Sequence, residues 1–256
     1  FMFFIFISMF VYVSFADDID NETIDVSAEL NSFTDTSTET IKEPDVNSRA
    51  CVVIDRKTNC VLFGKNENTK KKMASTTKIM TATIIIENCN LNDIVTISKK
   101  ASRTGGSRLG LKANDKISVL NLLYGLLLCS GNDAAVALAE HCSGSVTEFC
   151  NLMNQKAYEL GLANSHFESP HGLDSDNHYT TAYDLYLIFN ECIKHDEFVK
   201  IINSSSYTAH ITGADGTKRD VKWEPTNYYA KGEATPPDNV TIIGGKTGTT
   251  KGAETA

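Results

Sequence analysis

An α+β domain with a helical insertion beside an antiparallel sheet is the fold the sequence predicts. Three observations point to it. Strand-like segments open and close the chain, with a block of helix-like segments between them. Residues 119–128 are apolar almost throughout, as a helix enclosed on all sides must be. The chain is 256 residues long, 41% hydrophobic and 22% charged, enough to bury a core for one large domain or two intimate ones.

The chain opens on sixteen uncharged, mostly apolar residues ending in Ser14-Phe15-Ala16, with acids just after. That length is short for a bilayer span, and small residues sit where a signal peptidase cuts. Residues 1–16 therefore read as a secretory signal peptide, with a retained N-terminal anchor as the alternative. The usual basic start is missing, so the leader reads as beginning a few residues late. Residues 17–49 hold ten acids against Lys42 and Arg49, with little apolar periodicity. They read as an acidic flexible linker.

The fold is expected from about Ala50. Residues 51–54 form a strand, 56–59 a turn and 61–63 a second strand. A helix starts at 73–80 and runs on through the apolar residues to Ile86. Residues 91–97 read as a short strand, and 104–111 as a glycine-rich loop with no Gly-Lys-Ser/Thr to make it a phosphate loop. The helix at 119–128 stops at Ser130-Gly131-Asn132, and another follows from Ala134. Ser145 and Glu148 have capping-box spacing for a helix that Gly161 closes. Residues 163–180 form a long loop, and 181–194 a further helix. Short strands and turns then lead to a strand at 240–249 that carries Lys246. No internal repeat is found.

Charge and cysteine content exclude some functions. The net charge is −8, and residues 17–49 account for all of it, leaving the remainder neutral. No basic patch suits nucleic acid. Seven cysteines are an odd number for an exported chain; Cys51 and Cys60 flank the first hairpin and could come close, and sequence does not pair them. With no Cys-x-x-Cys and no compact His/Cys cluster, neither a metal site nor a cofactor is expected.

The chemistry-bearing residues lie in polar islands within apolar elements. On a helix Ser75 and Lys78 share one face. A hydroxyl becomes a nucleophile when a neighbouring base takes its proton. A lysine serves as that base when burial or a second cation lowers its pKa. Alone, a Ser three before a Lys turns up about once by chance in a chain this long. Two further islands, Ser130-Gly131-Asn132 and Lys246-Thr247-Gly248, follow in order. His171 and Asp174 read as a hydrogen-bonded pair inside the 163–180 loop.

The order Ser-x-x-Lys, Ser-x-Asn, Lys-Thr-Gly is a pattern of penicillin-interacting serine enzymes. The flanks extend it: Met73-Ala74-Ser75-Thr76-Thr77-Lys78-Ile79-Met80, Leu128-Cys129-Ser130-Gly131-Asn132-Asp133-Ala134-Ala135 and Pro170-His171-Gly172-Leu173-Asp174. Together they resemble the low-molecular-mass penicillin-binding proteins, more narrowly the serine-type D-alanyl-D-alanine carboxypeptidases of peptidase family S11. The resemblance implies a β-lactamase/transpeptidase-like fold over residues 50–256, incomplete at the C-terminal end. It also implies removal of the terminal D-alanine from peptidoglycan stem peptides, in wall remodelling and cell shape, and covalent inhibition by β-lactam antibiotics. Carried onto this sequence, it makes Ser75 the nucleophile, Lys78 its base and Ser130 a proton carrier between Lys78 and Lys246. Asn132 would hold the substrate's backbone amide. Lys246 and Thr247 would take its carboxylate, and the N–H groups of Ser75 and Thr249 its carbonyl oxygen. An exported site at the outer membrane face or cell wall is expected, with membrane association through an anchor beyond residue 256. The alternatives are a secreted β-lactamase, for which the loop offers only Glu168, and a catalytically idle penicillin-sensing or wall-binding module.

Overall fold

The structure is a computed structural model that describes residues 44–252 and the backbone of residues 254 and 255. The leader expected at 1–16, and the linker up to residue 43, lie outside the described residues.

The chain enters through an antiparallel hairpin, β1 (Cys51–Asp55) and β2 (Cys60–Lys65). Asn59 takes the left-handed conformation at its turn, with φ 56°. The register sets Cys60 opposite Asp55 and Cys51 opposite Lys65. The two cysteines therefore sit at opposite ends of the hairpin and do not meet. All seven cysteines are free thiols.

A 3-10 turn at Ala74–Thr76 leads into α1 (Thr77–Asn88). Nine of the twelve α1 residues are buried, so this helix is central rather than amphipathic. It packs against the apolar α2 (Val119–Leu128), α3 (Asn132–Ser143), α4 (Val146–Glu159) and α5 (Ala182–Cys192). Its buried hydroxyls are satisfied: Thr81 donates to the Pro170 carbonyl at 2.7 Å and Thr83 to that of Ile79 at 2.9 Å. Truncating a core leucine such as Leu122 to alanine would cost about 2–5 kcal/mol. Three helices open on the cap their sequences announce. The side chains of Ser118, Ser145 and Thr181 accept from the backbone N–H of Asn121, Glu148 and Asp184.

A four-stranded antiparallel sheet in the order β3-β4-β5-β6 lies beside the helices: Ile94–Thr96, Lys116–Ser118, Tyr207–Thr212 and Lys218–Trp223. The α+β architecture is thus the predicted one, with three differences. The polar stretch before Val119 supplies β4, which its composition does not announce. Residues 196–202 form α6 (Asp196–Ile202) where strands and turns were expected, and Phe198, Ile201 and Ile202 at helical spacing are its buried face. The strand expected at 240–249 is irregular: only β7 (Thr249–Thr250) pairs, with β8 (Glu254–Thr255). Gly244 explains part of this. Its φ is +107°, and a side chain there would come within 2.8 Å of the Ile202 carbonyl. A short helix, α7 (Tyr228–Lys231), precedes this segment.

Candidate active site

The 3-10 turn bearing Ser75 is held in an unusual conformation. Ala74 has φ 46°, left-handed for a residue with a Cβ. Two contacts over-determine it, as strained functional backbone requires. Thr77 Oγ1 donates to the Ala74 carbonyl at 2.8 Å, and Gly172 packs so closely that a side chain on it would overlap that oxygen. His178 steadies Thr77. Its Nδ1 accepts from the Glu168 N–H at 3.0 Å, so Nε2 carries the hydrogen and donates to Thr77 Oγ1 at 2.8 Å. Burial, its largest influence, pushes the His178 pKa down to about 4, which keeps this ring neutral.

Lys78 sits one turn on, wholly buried. Its Nζ contacts Ser75 Oγ at 2.9 Å, Asn132 Oδ1 at 2.7 Å and the His171 carbonyl at 2.7 Å. The last two are oxygens that can only accept. None of the three is a carboxylate. Burial first, and the neighbouring Lys246 charge second, drive the Lys78 pKa well below its usual value; Asp133 opposes them more weakly. A neutral lysine has two hydrogens and one lone pair. The two carbonyl oxygens take the hydrogens, so the lone pair is left facing the Ser75 hydroxyl. So placed, the lone pair can accept a proton from the Ser75 hydroxyl.

Ser130 lies at the turn between α2 and α3 with φ 59°, a second left-handed non-glycine residue in the site. Lys246 Nζ donates to Ser130 Oγ at 3.1 Å and to the Thr247 carbonyl at 2.5 Å. Lys246 keeps part of its surface open to the cleft. The surrounding protein nevertheless lowers its pKa to about 7, through burial. Ser130 is expected between the two lysines; among the described residues its hydrogen bond goes to Lys246 and none joins it to Lys78. Asn132 is expected to face substrate, yet its carbonyl is taken by Lys78 and its Nδ2 donates to the Gly105 carbonyl at 2.8 Å. Its observed contacts are to Lys78 and to the glycine loop.

Asp133 holds that loop in place. Its buried carboxylate accepts from the backbone N–H groups of Leu109, Gly110, Leu111 and Ala134 at 3.0–3.2 Å. Gly106 needs to be glycine: its φ is +78°, and a Cβ would stand 2.5 Å from Asn132 Nδ2. Thr247 Oγ1 lies 3.0 Å from Thr226 Oγ1, a second hydroxyl that the motifs do not include. Gly248 runs directly over Ser75, since a Cβ on it would sit 2.8 Å from the Ser75 nitrogen. Thr249 follows at the start of β7, which contacts the 3-10 turn. Ser75, Ser130, Thr226, Lys246, Thr247 and Thr249 line one open cleft of about 770 Å³.

The loop residues depart from expectation. His171 Nδ1 accepts from the Leu173 N–H at 3.2 Å, and its contribution to the site is its backbone carbonyl. Asp174 leaves the loop and accepts from Thr250 Oγ1 at 2.7 Å and the Gly252 N–H at 3.0 Å, so the expected His171–Asp174 pair does not form. Glu168 accepts from the Ser175 hydroxyl in the exposed loop. Among the described residues no cluster of His, Cys, Asp or Glu is arranged to hold a metal ion.

A family model for D-alanyl-D-alanine carboxypeptidases, peptidase S11, matches residues 37–256. The D-alanyl-D-alanine carboxypeptidase DacF of Bacillus subtilis (strain 168) is 40% identical over 194 residues, covering 67% of this chain and 50% of the relative. DacC of Escherichia coli (strain K12), described by the same activity, is 33% identical over 226 residues, covering 84% of this chain and 53% of the relative. The crystal structure of the Streptomyces K15 DD-transpeptidase superposes with a TM-score of 0.77 at 32% identity, covering 84% of this chain and 85% of that one. The chain spans about half the length of the two curated relatives.

Proposed function

The chain belongs to the D-alanyl-D-alanine carboxypeptidase family, peptidase S11, and we propose that it removes the terminal D-alanine from peptidoglycan stem peptides through an acyl-enzyme on Ser75. One observation carries this reading: two fixed carbonyl acceptors orient Lys78 so that its lone pair meets the Ser75 hydroxyl.

The substrate's C-terminal carboxylate binds Lys246 and the Thr247 hydroxyl at the open end of the cleft. Ser75 Oγ attacks the carbonyl carbon between the last two D-alanines while Lys78 takes its proton. The N–H groups of Ser75 and Thr249 receive the oxygen as it becomes negative, a preorganised pair worth several kcal/mol in comparable sites. The C–N bond then breaks, and Ser130 passes its hydrogen to the departing D-alanine amine. Its own oxygen is re-protonated from the lysine side. Water adds to the ester, and release of the acyl group returns the proton to Ser75. A β-lactam meets the same nucleophile through its ring carbonyl. Ring opening leaves the amine tethered in the cleft, which obstructs the incoming water. The reading includes export to the cell-wall side of the membrane.

Intact-mass spectrometry after mixing with benzylpenicillin tests the nucleophile, and D-alanine release from a stem peptide tests the reaction. A persistent adduct mapping to the Ser75 peptide, with D-alanine release that S75A abolishes, is expected. Rapid loss of the adduct with consumption of the drug would instead make the protein a β-lactamase. No adduct on the folded protein would leave a binding module.

A further inference from the structure

We propose that Asp174 is a positioning residue for this reaction: its carboxylate pins the short strand bearing the Thr249 N–H against the turn that carries Ser75. The proposal rests on the reading of Ser75 and Thr249 as the pair that receives the carbonyl oxygen.

Among the described residues the strand's own pairing is short. β7 is two residues long and pairs with two residues of β8. The approach to it, residues 240–248, is irregular. Asp174 supplies a separate anchor from the 163–180 loop. One carboxylate oxygen takes the Thr250 hydroxyl at 2.7 Å and the other the Gly252 N–H at 3.0 Å. Both oxygens are therefore committed to the same three-residue reach of chain, on either side of Lys251. Gly252 approaches so closely that a side chain on it would stand 3.0 Å from Asp174 Oδ2.

The other end of the anchor is equally well placed. Asp174 ends a segment whose His171 carbonyl fixes Lys78 and whose Gly172 abuts the Ala74 carbonyl. Four consecutive residues thus set the base, the nucleophile's turn and the donor strand relative to one another. Asp174 itself bonds neither Ser75 nor Lys78, so proton transfer does not pass through it. An N–H aimed at a developing negative oxygen contributes in the transition state and little in the ground state. Loosening it lowers kcat and leaves KM in place.

The test combines amide hydrogen exchange over residues 248–252 with steady-state kinetics on a D-Ala-D-Ala peptide, for D174A, D174N and T250V. In D174A, exchange across the segment should accelerate by about tenfold or more, as local opening predicts. Its kcat should fall between about tenfold and a hundredfold, the range a misplaced group produces. KM should stay within about twofold of wild type, since uniform binding is untouched. The acid limb of the pH profile should not move, because Lys78 keeps its acceptors. D174N, whose side-chain oxygen can replace one of the two bonds, should recover part of kcat, and T250V should lose less than D174A. Wild-type exchange in D174A, or a folded D174A with unaltered kcat, would overturn the proposal. So would a shifted acid limb, which would mean that Asp174 acts on the base. If the wild-type protein releases no D-alanine, the proposed function fails, while the exchange measurement still decides whether Asp174 anchors the strand.

Discussion

Gly172→Ala isolates the coupling between the loop and the turn that carries Ser75. Gly172 has φ +87°, and a Cβ built there lies 1.8 Å from the Ala74 carbonyl oxygen and 2.6 Å from Thr77 Oγ1. Real Cβ atoms essentially never approach below 3.0 Å, so loop and turn must separate by at least 1.2 Å (3.0 − 1.8). The left-handed backbone costs an alanine about 1–2 kcal/mol, and the overlap about 1–3 kcal/mol. Together they destabilise the fold by about 2–5 kcal/mol. The displaced turn carries Ser75, and a shift near 1 Å at a reacting group costs about a hundredfold in rate. Gly161→Ala is the control: its φ is +71° with nothing within 4 Å of its Cβ, so it meets the backbone term alone. Stopped-flow acylation by a fluorescent penicillin reads the rate, and thermal denaturation the stability. G172A should acylate about a hundredfold slower, and G161A at the wild-type rate with a small loss in Tm. A folded G172A that acylates at the wild-type rate would refute the argument that this contact sets the serine's position.

Three other outcomes follow from the same site. Lys246, with its pKa near 7, is protonated below that pH and neutral above it; KM for a free-carboxylate peptide should therefore rise above pH 7 by up to about tenfold per unit, measured against a C-terminally amidated peptide that should show no such rise. Asn132→Asp keeps an oxygen on Lys78 but adds a negative charge, which favours the ammonium form; the acid limb of penicillin acylation should move up by about one pH unit or more. Asp133→Ala strips the acceptor from four backbone N–H groups; urea unfolding should show a loss of about 3 kcal/mol or more.

The spacing of Ser75 and Lys78 was legible because three residues make one helical turn, and the structure sets their polar atoms 2.9 Å apart. Ser130 and Asn132 were legible as a polar break between two apolar segments, and Lys246 as a lysine in an apolar run. The His171 carbonyl was not, since every residue carries one and no side chain marks the one that matters. Asp174 looked like a partner for His171, three residues away. Its real partners, Thr250 and Gly252, are more than seventy positions on, and only the tertiary fold brings them near. Asp133 stood inside a quoted motif, but its four N–H donors come mostly from a loop two dozen residues earlier. The strand expected at 240–249 reads as extended by composition; a strand also needs a neighbouring backbone, and among the described residues it finds one only at Thr249–Thr250.

The two lysines of the site also tie folding to the proton. In the unfolded chain both are ordinary ammonium groups near 10.5; in the folded protein both are depressed, Lys78 well below that value and Lys246 to about 7. Between the folded and unfolded pKa values the unfolded state binds more protons, so stability rises with pH across that window. Below the folded values both states hold the protons, and the cost of the buried charges is met in full. Folding at pH 8 therefore expels protons into the buffer. Its calorimetric enthalpy should depend on the buffer's own ionisation heat, a signature that replacing Lys78 and Lys246 with methionine would remove.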